Sequence, residues 1–344
     1  MTDTPLFPYL RLRLTVHPAH GPATAYPPAN RVRRAFGREL IARFCPFGAP
    51  RCQDADPPGS CPQLAMCPYA QVFARFGRSR HCARPPFALL CGHQGGSTFV
   101  EVTLYGKAWP FFLWVVQTLE NALMKGVGGW PGRWRVVAVH RVHPDGRRSR
   151  LILGPRAPTP DIEPDNVPIG PATGDADLLR DDRPVAVELL TPARLVNKRR
   201  VLGAGEPVPF AALVARAADR LRDLYGDEAT ARIAARIGDR DPHDVPLLAD
   251  HTRFVEIDDR STKKRAVLPI GGKQGVLVYG AGAAAFLPLL RAAEITHVGK
   301  NAASGLGRIR ARLLLCQVER LDAKNAKSSS RLLRADPSRA ESSL

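Results

Sequence analysis

The chain has 344 residues, 44% of them hydrophobic, which is enough for two domains with real cores. Its formal net charge of +18 is a statement about partners rather than fold. The natural partner is a polyanion, nucleic acid first and an anionic membrane second, although an Arg- and Pro-rich composition from a GC-rich genome also raises the charge. The most apolar stretch, Ala108–Val116, is nine residues with Pro110 inside it, which excludes a membrane-spanning helix there.

In chain order, "LFPYLRLRLTV" (6–16) alternates Leu10, Leu12, Leu14 and Val16 with Arg11 and Arg13, the period of a half-buried strand. "ANRVRRAFGRELIARF" (29–44) reads as a basic helix, and a loop-rich cysteine segment follows at about 45–92. Strands are expected at 97–106 and 132–142, with an apolar helix at 108–124 between them. Residues 155–184, rich in Pro, Asp and Gly, read as an exposed linker between a first domain (1–154) and a second (185–320). The second half repeats the plan. A strand at 184–195 is followed by an amphipathic helix marked by Phe210, Leu213, Val214, Ala217, Leu221 and Leu224. Two strands around "GGKQG" span 253–280, a helix runs over 283–294, and a last strand over 307–318. Strand–helix–strand–strand–helix–strand, twice over, predicts an α+β chain of tandem ferredoxin-like (RRM-like) domains with a cysteine-rich insertion. The end, 321–344, is polar and basic and reads as a disordered tail.

"HVGKNAASGLGRIRARL" (297–313) poses the functional question, because a glycine-rich turn of this kind suits a phosphate. The phosphate belongs either to a nucleotide cofactor or to a nucleic-acid backbone. The cofactor reading leans on Gly280, Gly282 and Ala285 between a strand and a helix. Its expected acidic residue is missing, however: that region holds Lys300, Asn301 and Ala302. The nucleic-acid reading uses the last strand, where Ile309, Ala311, Leu313 and Leu315 face one way and Arg308, Arg310 and Arg312 the other.

"VGKNAASGLGRIRARL" resembles the C-terminal signature of the CRISPR-associated endoribonucleases of the RAMP superfamily, which cut precursor CRISPR RNA within its repeats. Three more stretches resemble that family in the same order: "VRRAFGRELIARFCPFGAPRC…CPQLAMCPYAQVFA" (32–74), "VTLYGKAWPFFLWVVQTLENALMKGVGGWPGRWRV" (102–136) and "VELLTPARLV" (187–196). "FLPLLRAAEITHVGK" (286–300) runs on into the signature, so the resemblance covers most of residues 6–318. It implies two RRM-like domains and a loop that contacts RNA, here through Gly299, Asn301, Ser304, Gly305 and Gly307. It also implies metal-independent chemistry, in which the 2′-hydroxyl attacks the scissile phosphate and leaves a 2′,3′-cyclic phosphate. Arg31, Arg33, Arg34, Lys273, Arg308 and Arg310 are the expected RNA contacts.

Internal attack needs a base, positive charge on the phosphorane and a proton for the leaving oxygen. His297, followed by Lys300 beside the glycine-rich loop, is the first catalytic candidate, with packing after a helix as its alternative. The family often places its histidine near the N-terminus, where His17 and His20 stand; the 29–44 helix has none.

Cys45, Cys52, Cys61 and Cys67 offer four soft ligands within 23 residues, the composition of a structural zinc site or of free buried thiols. His81, Cys82 and Cys91 are spare donors. No cofactor is expected for catalysis. Seven cysteines and an N-terminus without an export pattern point to the cytoplasm. Repeat RNA and other CRISPR effector subunits are the expected partners, with no membrane. The alternative function is a non-catalytic RNA-binding subunit of an effector complex.

Overall fold

Leucine–arginine alternation becomes β1, Pro8–Pro18, with Leu10, Leu12, Leu14 and Val16 fully buried and Arg11 and Thr15 half-buried on the other face. The computed structural model describes residues 7–20, 26–45, 61–73, 85–128, 132–151, 153, 160–168, 183–261 and 266–314. It is a mixed α+β fold with two main antiparallel sheets.

After β1 comes α1, Ala29–Phe44, which buries Val32, Ala35, Phe36 and Leu40 on one stripe at helical spacing. β2 (Phe87–Gln94) and β3 (Ser97–Tyr105) form a hairpin turned by Gly95 and Gly96, both at positive φ as a tight turn of this kind requires. α2 is Phe112–Lys125, and β4 (Trp134–Val142), β5 (Arg148–Leu151) and β6 (Asp165–Asn166) follow. The sheet order is β2-β3-β1-β4-β5, with β6 paired to β1. Its inner face, from Leu12, Leu89 and Val102, packs on Phe36, Val115 and Leu119 of the two helices.

In the second half β7 is Val185–Ala193, and β8 (Val196–Asn197) pairs with β9 (Arg200–Val201). α3, Phe210–Tyr225, and α4, Asp227–Ile237, lead to β10, Leu247–Val255. A hairpin of β11 (Asp258–Ser261) and β12 (Ala266–Pro269) precedes β13 (Gly272–Tyr279), then α5 (Leu287–Thr296) and β14 (Ile309–Leu313). This sheet runs β10-β13-β7-β14. Strands β1–β4 and the four strands of this sheet therefore take the same order: in each set, the first strand lies between the third and the fourth. Val187, Leu277, Leu213 and Leu290 fill the second core.

Several expectations change. "GGKQG" does not form the turn between two strands; the hairpin β11–β12 does, and Lys273 lies in β13. The glycines serve strand contact instead: a Cβ on Gly272 would sit 2.4 Å from the Ala193 carbonyl, and one on Gly275 2.3 Å from the His251 oxygen. The Gly280-x-Gly282 turn has the same logic, with Pro246 2.9 Å from a Cβ on Gly280. Part of the expected linker is packed. β6 pairs with β1, Arg141 meets Asp165 at 2.8 Å, and Ile162 and Val167 are buried. Residues 155–159 and 169–182 of that linker, the expected tail 321–344, and Leu315 lie outside the described residues. The end of the expected cysteine loop is β2, a regular sheet strand. Among the described residues no helix is long and apolar enough to cross a membrane.

The halves meet through buried polar groups. Arg220 on α3 is 1% exposed; its Nε donates to the Thr296 carbonyl and its Nη1 and Nη2 to those of Pro85 and Phe87. The Tyr105 hydroxyl donates to Ile295 O, and that of Tyr225 to Pro8 O.

Candidate nucleic-acid interface

The glycine-rich loop begins where α5 ends, at His297, which has φ 66°. Its glycines are there because close neighbours leave no room for a Cβ. A Cβ on Gly307 would lie 1.9 Å from Val298 O, one on Gly299 2.6 Å from Arg194 O, and one on Gly305 2.7 Å from the Ala29 Cβ. All three also hold positive φ. The expectation that this turn suits a phosphate is corrected for two of its amides, which are engaged within the protein: Gly305 N–H donates to Ala302 O and Gly307 N–H to Pro192 O. Ser304 N–H donates to Asn301 O and Lys300 N–H to Arg194 O, so the loop spends these donors on its own shape. Ala303 drops into the first-half core, which makes the loop a plug between the halves. Lys300 stays exposed, and Asn301 and Ser304 are half-buried.

Gly305 presses the loop onto the first turn of α1. Beside it, Asn30 Nδ2 donates to Asp259 Oδ1 at 3.1 Å, and Arg34 Nη2 reaches the same oxygen at 3.4 Å. Arg31 Nη1 donates to Gly128 O at 3.0 Å. Arg33 turns elsewhere, its guanidinium 4.9 Å over the Phe73 ring. The structure thus brings Arg31, Arg34 and the glycine-rich loop together, and adds Asn30 and Asp259, which the sequence reading missed. Asp259 carries no local signal, because its partner Asn30 lies 229 positions away.

A second basic cluster lies on the outer face of the first sheet, where it meets β14. Glu101, 4% exposed on β3, accepts from Arg13 Nε and Nη2 at 3.1 and 2.8 Å. Arg308 Nη1 is 3.3 Å and Arg11 Nε 3.8 Å from its other oxygen. Burial alone would raise the Glu101 pKa, but Arg308, Arg11 and Arg13 outweigh it and hold the carboxyl below its usual range. Arg13 also lies 4.0 Å over Phe99 and shares Gln94 Oε1 with Arg148. His140 pairs with Arg13 across the sheet, and among the described residues its buried Nδ1 has no hydrogen-bond partner. Burial, then Arg148, Arg150 and Arg13, push its pKa down. The signal for this cluster was present: arginines alternating in β1, and one acid in the otherwise uncharged "STFVEVTLY".

The remaining candidates sort by burial. His297 is 5% exposed, and its Nδ1–H donates to Leu306 O at 3.1 Å. Burial first, then Arg308, lower its pKa to about 3, so the ring is neutral near pH 7. The structure therefore places it under the loop, away from solvent. His17 is exposed at the end of β1 opposite Arg135, and His20 is exposed just past it. Lys273 is corrected from a surface contact: it is 3% exposed, with Nζ 3.8 Å from Asp250. Arg308 is held by Glu101 with 23% of its side chain open, while Arg310 is exposed beside Glu188. β14 keeps the expected alternation, Ile309 and Ala311 in and Arg310 and Arg312 out.

Cys45, Cys61 and Cys67 are half-buried, and Cys52, His81 and Cys82 lie outside the described residues. Among the described residues no group of three or more His, Cys, Asp or Glu is arranged to hold a metal. Cys91 is buried in β2, and burial pushes its thiol pKa up, so it is a poor metal donor.

Residues 187–309 match the family model of the CRISPR-associated endoribonuclease Cas6, and residues 7–163 match a model described as an N-terminal domain. Among solved structures, Thermus thermophilus Cas6 is similar at 16% identity over 89% of this chain and 99% of that one, with a TM-score of 0.44. A Cas6-RT-Cas1–Cas2 complex is similar at 14% identity over 92% of this chain and 30% of that one, with a TM-score of 0.49. The product of a Cas6-related gene from Pyrococcus furiosus is 9% identical over 90% of this chain and 100% of that one, with a TM-score of 0.37. No curated protein matches the chain.

Proposed function

We propose that the chain, whose residues 187–309 match the model of the CRISPR-associated endoribonuclease Cas6 family, binds CRISPR repeat RNA and cuts precursor CRISPR RNA without a metal. The observation that carries this is the family match over the very segment that holds the glycine-rich loop. The repeated strand order supports reading the halves as tandem ferredoxin-like, RRM-like domains, 1–154 and 185–320, joined through 155–184. Other CRISPR effector subunits are the further partners of this reading, and the cytoplasm its setting.

In this reading the repeat RNA lies across the seam where α1, the loop and the β11–β12 hairpin converge. The 2′-hydroxyl upstream of the scissile phosphate attacks it, and the O5′ of the next nucleotide leaves with a proton. Negative charge grows on the phosphorane oxygens, so fixed cations beside them lower the barrier. Lys300, exposed on the loop, and Arg31 and Arg34, already oriented by Gly128 and Asp259, supply those cations. His17 and His20 are exposed imidazoles suited to proton transfer. His297 shapes the loop through Leu306 and takes no part in proton transfer in this reading, because its ring is buried beneath the loop and its lowered pKa makes it a weak base. That same burial favours a second reading, an RNA-binding subunit without cleavage.

A structural zinc at Cys45, Cys52, Cys61 and Cys67 remains part of the proposal only as a staple. The three described thiols form no metal-holding group, and no step of the reaction uses one. Metal analysis of the purified protein decides it.

The test is incubation with cognate repeat RNA in EDTA, with analysis of the 3′ ends. Products ending in a 2′,3′-cyclic phosphate, lost in Lys300→Ala or in His17→Ala with His20→Ala, are the expected result. Binding without products would establish the second reading, and no binding would overturn both.

A further inference from the structure

Resting on that reading, we propose that Glu101 is a positioning residue of the RNA interface, holding Arg308 at the exit of the glycine-rich loop together with Arg11 and Arg13. The three guanidiniums come from opposite halves of the molecule and converge on one buried carboxylate at 2.8, 3.3 and 3.8 Å. Each part of Arg308 is fixed by a different half. Its N–H donates to Thr191 Oγ1 and its carbonyl accepts from Leu190 N–H, both on β7, while its side chain reaches across to β3. Glu101 therefore ties the end of the loop to the first sheet.

Burying four charged groups is a poor way to gain stability, since well-packed apolar side chains do as well or better at such a site. What the cluster supplies instead is two net positive charges, held in fixed positions beside the loop and partly open through Arg308 and Arg11. Without the carboxylate the three cations repel one another, and the long arginine side chains move apart into water.

Electrostatic attraction alone and positioning give opposite forecasts for Glu101→Gln. The substitution keeps the shape and removes one negative charge, so simple attraction to RNA predicts equal or better performance. Positioning predicts that kcat for repeat RNA falls at least about ten-fold with KM unchanged or lower, and that the hydroxyl-radical footprint over the cleavage site weakens. Thermal melts are run alongside. A folded variant that cuts at the wild-type rate with an unchanged footprint overturns the proposal. If Glu101→Gln does not fold, Arg308→Gln, which leaves Arg13 on the carboxylate, is expected to show the same loss of kcat. Wild-type rates in folded Arg308→Gln would overturn the proposal equally. Wild-type protein that binds but does not cut overturns the endoribonuclease reading alone, and the footprint of the variants then decides on positioning. Wild-type protein that neither binds nor cuts overturns both.

Discussion

At the scale of single residues, burial decides what each titratable group can do. His297 carries the residue type that acid–base chemistry favours, yet its interior position beside Arg308 lowers its pKa to about 3. The folded ring stays neutral where the unfolded chain, at about 6.5, begins to take up a proton. The contribution to stability is therefore complete above pH 6.5 and is lost progressively as the pH falls from 6.5 toward 3. Glu101 adds a loss in the same direction below its ordinary value of 4.5, because its folded pKa is depressed. His297→Asn, whose side chain tolerates positive φ, is expected to flatten the decline in urea-melt stability between pH 6.5 and 4.5 while leaving the acid limb of Glu101 in place. A decline identical to wild type would refute the assignment. Exposure separates the other candidates just as sharply: Lys300 and Arg310 face solvent, whereas Lys273 is in the core of β13.

The elements show how the same residue type serves different ends. Glycines in the 297–308 segment looked like a phosphate cradle, and the structure uses Gly305 and Gly307 for close backbone contact with their N–H groups engaged. Gly307→Ala combines a left-handed φ of 74° with a Cβ 1.9 Å from Val298 O. Gly226→Ala has a similar φ of 81° but open space around it. Denaturant melts are expected to show about 1 kcal/mol for Gly226→Ala, from the backbone alone. Gly307→Ala should cost about 3 kcal/mol or more, since the Val298 carbonyl must also move. Equal costs would mean that the loop gives way freely and is no rigid plug. β1, α1, β3, β7 and α3 were legible because each buries one side against its own half, which imprints a period of two or of 3.6 on the residues. β5, β6 and the β11–β12 hairpin were not, because short strands take their meaning from the strand they pair with.

At the scale of the whole molecule, a few buried polar ties reinforce an apolar seam in which Phe7, Tyr9, Ala88 and Tyr105 join the second core. Arg220 joins α3 to the carbonyls of Thr296, Pro85 and Phe87, and the Tyr225 and Tyr105 hydroxyls reinforce the seam. Arg220→Met leaves those carbonyls unpaired and removes hydrogen bonds from a charged donor, which is expected to cost about 3 kcal/mol. Calorimetry should then resolve two transitions where wild type shows one, because the halves lose their coupling. A single transition with an unchanged midpoint would show that the apolar contacts suffice.

From the amino-acid sequence alone came the repeated strand–helix order, the basic character and the resemblance to RNA-cutting proteins. These properties are local or additive: periodicity reports one buried face, and charge sums regardless of position. Only the tertiary structure decided that Arg308 is held by Glu101, that Arg33 turns toward Phe73, that Asp259 meets Arg34, and that His297 is sealed beneath the loop. A side chain's partner and its access to water depend on what packs across from it, and for Arg308 and Asp259 those neighbours come from the opposite half of the chain.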